Sequence, residues 1–322
     1  MSDSLRDAAV MVTGGCGFIG SHLVHALAAR GAKRIVVLDS LRYGKPENLG
    51  TLDEQVEVVQ YTLGEGPQDV LKPALEGVTH LFHLAAEKHN QSKDSPARVY
   101  QSNIVGTHTL FENAVEAGVR KIVFTSSLYA YGRMTGAPFV ESEVPQPRTV
   151  YGISKLAGEH VLAHFGQTQG VAWNVLRYLF VYGPKQFAGL GYKSVIMKNF
   201  ERILNGERPV ILGDGAQELD YVFVDDVVEA TLKAMESPVA NEVLNIASGR
   251  GTRIDELTEA MLRVSGSTLR PTHGPADWTH GSCRVGNAER AAEVLDWRAT
   301  TPLEVGLGRT FDWIRQKEFP SP

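Results

Sequence analysis

The run Val10-Met-Val-Thr-Gly14-Gly-Cys-Gly17-Phe-Ile-Gly20 constrains this chain more than any other stretch. A β-branched run precedes it and a helical pattern, Phe18–Ala29, follows, so the glycines sit at a strand-to-helix turn. There Gly14 permits a tight turn, Gly17 lets the backbone approach a pyrophosphate, and Gly20 lets helix and strand pack closely. A pyrophosphate at this turn meets exposed N–H groups and the positive end of the helix dipole. The next β-branched run, Arg34-Ile-Val-Val-Leu38, closes on Asp39, at about the 20-residue spacing of a ribose-binding acid. Its charge would repel a 2′-phosphate, which selects NAD over NADP; Arg42 is the opposing feature, because an arginine can pair with that phosphate.

The first half continues the same alternation. Strand-like runs fall at Ala9–Thr13, Arg34–Leu38, Val56–Gln60, Thr79–Leu84, Lys121–Thr125 and Ala172–Arg177, with helical periodicity over Phe18–Ala29, Ala97–Ala117 and Tyr151–Phe165. Strands alternating with helices predict an α/β fold, a Rossmann-type doubly wound parallel sheet with right-handed crossovers. After Tyr182 the rhythm breaks. Gly183–Tyr192 reads as a loop, followed by a helix near Lys193–Leu204 and a strand at Pro209–Leu212. Tyr221–Val224 leads into a helix over Asp225–Met235, and Val243–Ile246 is again strand-like. Helical patterns return at Ile254–Val264 and Leu303–Lys317. This predicts a smaller, mixed α/β lobe built mostly from the last third, with the substrate cleft between it and the sheet.

Charge and cysteine content exclude several classes. The 322 residues carry 32 Lys and Arg against 37 Asp and Glu with no long run of either sign, so no nucleic-acid or anionic-membrane surface is expected. No stretch approaches the roughly 20 apolar residues of a membrane span, and Met1–Arg6 has no signal-peptide pattern. Cys16 and Cys283 lie far apart and outside any metal spacing; two lone thiols fit a cytoplasmic protein more simply than a disulfide. His160 and His164 share a helix face, but a third metal ligand is not evident, and no metal site is expected.

The second constellation is Tyr151-Gly-Ile-Ser-Lys155, which sets a phenol and an ammonium four residues apart on one helix face. A free tyrosine is a poor base at neutral pH; a neighbouring cation favours the phenolate and lowers its pKa. Thr125-Ser126-Ser127 ends a strand, so its hydroxyls lie at the sheet edge where ligands bind, and Ser127 can bond a substrate hydroxyl that is losing its proton.

Taken together, these motifs resemble the extended short-chain dehydrogenase/reductase family, in its NAD-dependent epimerase/dehydratase branch. Besides the glycine loop and Tyr151-Gly-Ile-Ser-Lys155, the resemblance runs through Phe82-His-Leu-Ala-Ala86, Asn103-Ile-Val-Gly-Thr107 and Thr125-Ser-Ser-Leu-Tyr-Ala-Tyr-Gly132. It continues in Val181-Tyr-Gly-Pro184, Gly213-Asp-Gly215 and Tyr221-Val-Phe-Val-Asp-Asp226. It implies Ser127, Tyr151 and Lys155 as catalytic residues. It implies NAD held by Gly14, Gly17, Phe18, Ile19, Gly20, Asp39, Ser40, Arg42, Leu84, Ala85, Ala86, Tyr151, Lys155 and Tyr178. It further implies a homodimer through the helices at Ala97–Ala117 and Tyr151–Phe165. The expected division is a cofactor domain over 1–180, with 220–246 returning to it, and a nucleotide-sugar lobe from 181–219 and 247–322.

Within that branch, 4,6-dehydratases carry Asp-Glu directly after the catalytic Ser or Thr; here Leu128 and Tyr129 stand there. Without those proton carriers the expected chemistry is 4-epimerisation of an NDP-sugar, a UDP-sugar such as UDP-glucose or UDP-glucuronate. Other enzymes on the same scaffold (a decarboxylase, a dehydratase or a 4-ketoreductase) are the alternative. Tyr129 reads as substrate packing or as a proton carrier at C5. The substrate half departs from the pattern: Phe180 replaces an asparagine, Leu219 a phosphate-binding arginine, and no arginine stands near Gly274. An acidic residue usual near the adenine is replaced around Leu63. Candidates on the substrate side are Lys88, Ser126, Tyr129, Phe180, Lys193 and Arg284, with Lys198 and Arg250 as further cations, and all these cations read more simply as surface residues.

Overall fold

Valine- and isoleucine-rich runs with turn residues at both ends form the strands of this protein. They are β1 (Ala9–Thr13), β2 (Arg34–Asp39), β3 (Val56–Gln60), β4 (His80–His83), β5 (Lys121–Ser127) and β6 (Ala172–Tyr178). The computed structural model describes residues 5–51, 54–89, 91–186 and 193–318. Later in the chain come β7 (Phe180–Tyr182), β8 (Val210–Leu212), β9 (Glu218–Leu219), β10 (Tyr221–Phe223), β11 (Glu242–Ile246), β12 (Thr252–Arg253), β13 (Thr272–Gly274) and β14 (Cys283–Arg284). Seven strands make one parallel sheet in the order β11-β6-β5-β4-β1-β2-β3. The chain winds outward in one direction from β1 and in the other from β4. Their carboxyl ends therefore flank the point where the strand order reverses, the place where such sheets bind ligands.

Both sheet faces are covered, which explains why the central strands read as unbroken apolar runs. Successive side chains point to opposite faces: Val10 and Val12 join one core cluster with Phe82 and Leu176, and Met11 joins the other with Leu81, Ile122 and Phe124.

The helix Phe18–Ala29 begins at Gly17 with no side-chain cap, so its amino end stays open toward the cleft. The helix Val150–Gln169 is capped by Thr149, whose hydroxyl accepts from Gly152 N at 3.0 Å, and stops at Gly170 in the left-handed region. The periodic stretch Ala97–Ala117 is not one regular helix. Pro96–Tyr100 leads into a π turn over Gln101–Gly106 before Thr107–Glu116 resumes. At this turn a Cβ on Gly106 would lie 2.5 Å from Gly64 N, so the helix and a neighbouring loop meet backbone to backbone.

Beyond β6 the chain is less regular. β7 pairs with β10, β8 with β13, and β9 lies between β12 and β14. The helices Val195–Leu204, Ile254–Ser265 and Leu303–Glu318 pack together over these small sheets. Only β11 of the 220–246 return joins the large sheet, beside β6; β10 pairs with β7 instead. Periodicity placed β8 at Pro209–Leu212 but missed the short helices Gln68–Leu75 and Glu289–Leu295 and the strands β7, β9, β12, β13 and β14. The loop expected at Gly183–Tyr192 lies partly outside the described residues. Among the described residues no helix is long and apolar enough to cross a membrane, and Cys16 and Cys283 are both free thiols.

Candidate active site

A cleft of about 460 Å³ opens at the carboxyl ends of β1, β2, β4 and β5. Gly14, Gly17, Phe18, Ile19 and Gly20 form its floor. A Cβ on Gly20 would lie 2.1 Å from the Gly14 oxygen, and Gly14 itself has φ +71 with Ala85 backbone 3.0 Å from its own would-be Cβ. The turn therefore excludes side chains and leaves the uncapped helix amides for an anionic ligand. Asp39, 5% exposed, accepts from Cys16 N at 3.0 Å and Leu41 N at 2.8 Å. Burial pushes its carboxyl pKa up and these two N–H bonds oppose it, so hydroxyl donors from a ribose would favour the charged form further. The glycine cradle and the buried acid fit NAD.

Leu84, Ala85 and Ala86 form the opposite wall. Thr13 fixes them: its hydroxyl oxygen accepts from Leu84 N and Ala85 N, both at 3.1 Å, and its proton goes to His83 Nδ1 at 2.7 Å. His83 Nε2 in turn donates to Thr107 at 2.9 Å. Complete burial drives the His83 pKa well below its usual value, consistent with a neutral imidazole that donates once and accepts once. At the adenosine end, Ser40, Tyr61, Thr62 and Leu63 line the cleft. Arg42 does not: its guanidinium donates to Glu87 at 2.6 Å, and Tyr43 donates to the same carboxylate at 2.8 Å. This pairing takes Arg42 out of the role of a phosphate partner, and Tyr43 takes its place in the wall.

At the far end of β5 stand Ser127, Tyr151 and Lys155, all lining the cleft. Lys155 donates to the Thr125 carbonyl at 2.8 Å, and its Nζ lies 5.9 Å from the centre of the Tyr151 ring. Burial pushes the Lys155 pKa down to about 7, partly offset by Glu159 one turn along. Burial raises the Tyr151 pKa, the Tyr129 phenol adds to this, and the Ser127 hydroxyl opposes it. Behind the triad, Arg177 donates to Glu159 at 2.7 and 3.0 Å, both residues being buried. Ser126, a candidate for substrate, lines the cleft while its hydroxyl donates to Glu159, which ties the end of β5 to the helix carrying Tyr151. Tyr178 lines the cleft, but its phenol is bonded to Thr231 at 2.6 Å.

The remaining substrate candidates separate. Lys88 lies at the rim with Nζ 4.7 Å from the Tyr43 ring centre. Lys193 is drawn away by Glu201 at 2.7 Å, and Arg250 is exposed on the turn after β11. Tyr129, Phe180 and Arg284 are brought together. Tyr129 stacks on His89 at 4.3 Å and meets the Tyr151 ring edge-on at 5.8 Å. The Arg284 guanidinium lies 4.9 Å from the ring centres of both Phe180 and Trp278. Arg284 is 1% exposed, so reading it as a surface cation fails: β14 pairs with β9 and carries its side chain inward. His89, Trp278, Glu87 and Tyr43 carried no motif, because their place in the site depends on pairings between distant segments.

The sequence profile of the NAD dependent epimerase/dehydratase family matches residues 10–247. The chain belongs to this family. It is 34% identical over 318 residues to a UDP-glucose 4-epimerase of Mycolicibacterium smegmatis, covering 95% of this chain and 98% of that one. Among solved structures, UDP-glucose 4-epimerase of Thermotoga maritima with UDP-glucose superimposes with TM-score 0.89 at 36% identity, covering 96% and 99% of the two chains. UDP-N-acetylglucosamine 4-epimerase of Methanobrevibacter ruminantium gives TM-score 0.91 at 31% identity, covering 97% and 99%. The fold is thus that of the extended short-chain dehydrogenases, and the protein is an NAD-dependent enzyme of nucleotide-sugar chemistry.

Proposed function

We propose that this protein is a UDP-sugar 4-epimerase, and that Ser127, Tyr151 and Lys155 are its catalytic residues. The observation that carries the reading is the placement of this triad at the mouth of the cofactor cleft with Leu128 and Tyr129, not carboxylates, beside it. When bound, NAD supplies the hydride acceptor at C4 and a positive charge beside the phenol. Tyr151 takes the proton of the 4-hydroxyl, which Ser127 orients. Its raised pKa makes it a weak base alone, so the reaction depends on the Lys155 ammonium nearby. The 4-keto sugar turns over in the cleft and is reduced on its opposite face while Tyr151 returns the proton. Nothing in this cycle removes water across C5 and C6, because no carboxylic acid stands where one would be needed.

The same reading assigns 1–180 and 220–246 to the cofactor and 181–219 with 247–322 to the sugar nucleotide. The dimer is proposed on the helices that expose Tyr100, Val105 and Ile153, apolar side chains left uncovered in the single chain. Free thiols support a cytoplasmic enzyme. The test is purified protein given UDP-glucose, UDP-N-acetylglucosamine and UDP-glucuronate without added NAD, with products read by NMR. Conversion of at least one to its 4-epimer is expected; release of a 4-keto sugar or a decarboxylated pentose would assign another reaction.

A further inference from the structure

Among the described residues Arg284 is the largest side chain that is fully buried, at 1% exposure. Its Nε, Nη1 and Nη2 all lack a hydrogen-bond partner, and no carboxylate among the described residues lies within ion-pair distance. Two aromatic faces sandwich it, Phe180 and Trp278, each with its ring centre 4.9 Å from Cζ. Such faces recover part of the lost hydration of a cation but supply no acceptor for its five N–H donors. An unpaired buried charge is a costly thing to keep, and an anionic ligand group would complete it.

The surroundings indicate which anion. The Tyr129 phenol lies close to Arg284, too far for a full hydrogen bond; the charge and this loose contact offset part of the upward push of burial on the phenol, and Tyr129 touches the Tyr151 ring. Other titratable groups here are His89, whose pKa burial pushes down to about 4, and Lys155; Glu159 is engaged with Arg177 and Ser126. The guanidinium therefore stands behind Tyr129, next to the reacting end of the cleft, with no acid paired to it. In a hexose bound with its 4-hydroxyl at Tyr151, C6 is carried on the carbon next to C4. The diphosphate hangs from C1, across the ring. We propose that Arg284 receives the C6 carboxylate of a nucleotide-linked hexuronate, in a bidentate pair between the two aromatic faces. This rests on the reading of the protein as a UDP-sugar enzyme and narrows it to an acidic sugar.

Binding separates this assignment from the epimerase reading. NAD-loaded protein carrying Tyr151→Phe turns over slowly enough for affinities for UDP-glucuronate, UDP-glucose and UDP to be measured by calorimetry, with Arg284 intact and with Arg284→Gln or Arg284→Met. UDP-glucuronate is expected to bind about 10–100-fold tighter than UDP-glucose when Arg284 is present, a margin typical of a charge-assisted pair. Either substitution should erase that margin, leave UDP-glucose and UDP unchanged, and leave the melting temperature the same or higher. Equal losses for UDP and both sugars would make Arg284 a diphosphate partner and overturn the proposal, as would unchanged binding throughout or no binding of either sugar. If UDP-glucuronate binds as expected but the active enzyme forms no 4-epimer from it, the epimerase reading falls and this one stands.

Discussion

At the β1 end of the cleft, Thr13, His83 and Asp39 each have protein partners before any ligand arrives; at the Tyr129 end, Arg284 has none. The two ends are built on different terms. The cofactor end is a finished scaffold in which hydroxyl, imidazole and backbone N–H groups fix one another, so NAD docks on a surface already in shape. The substrate end holds an uncompensated cation between aromatic faces, and its polar accounts close only with a ligand in place. Pre-organisation at one end suits a cofactor that stays bound through every turnover. On the assignment proposed for Arg284, the unpaired cation at the other end makes the choice of sugar a matter of which anion it carries.

The comparison can be broken at several points. Removing the phenol with Tyr151→Phe should lower kcat by about 10²–10⁴-fold and leave NAD content and sugar-nucleotide affinity unchanged, read by steady-state kinetics and by the cofactor released on denaturation. A parallel loss of NAD would mean that the two ends are not separable. Glu159→Ala strands the buried Arg177 charge and should cost about 3–5 kcal/mol in denaturant unfolding. A cost close to zero would show that the ion pair does not tie the strand end to the catalytic helix.

Thr13→Val leaves Ala85 N and His83 Nδ1 without a partner, while Leu84 N keeps its bond to the Thr13 carbonyl, and should cost about 1–3 kcal/mol, with weakened NAD retention. The last effect is a pH slope. The folded Lys155 pKa, about 7, lies below its usual value near 10.5, so between these limits the unfolded chain binds more protons. Stability of the cofactor-free protein should therefore rise with pH through that window relative to Lys155→Met, by up to about 1.4 kcal/mol per unit. A flat difference would place Lys155 in a better-solvated site.

The cofactor half was largely legible in the sequence because its contacts are local. Gly14 to Gly20, Asp39 and Tyr151 to Lys155 each lie within one strand–turn–helix unit, where spacing fixes geometry. The partners of Ser126 and Arg42, Glu159 and Glu87, were not legible because they are 33 and 45 residues away and only the folded sheet brings them close. The burial of Arg284 was less legible still. A lone arginine in a polar stretch reads as surface, and only the pairing of β14 with β9 turns it inward beside Phe180. The π turn at Gln101–Gly106 escaped periodicity because a single extra residue in one helical turn leaves the apolar spacing on either side intact.

Transient oxidation at C4 and return of the same hydride to the opposite face is the claim on which the comparison rests, and isotopic labelling tests it most directly. Purified enzyme given UDP-glucuronate and UDP-glucose deuterated at C4 should yield a 4-epimer that keeps the label at C4, with no lasting gain of reduced nicotinamide and no label in the solvent. Loss of the deuterium to water, or a 4-epimer formed with hydrogen at C4, would contradict it.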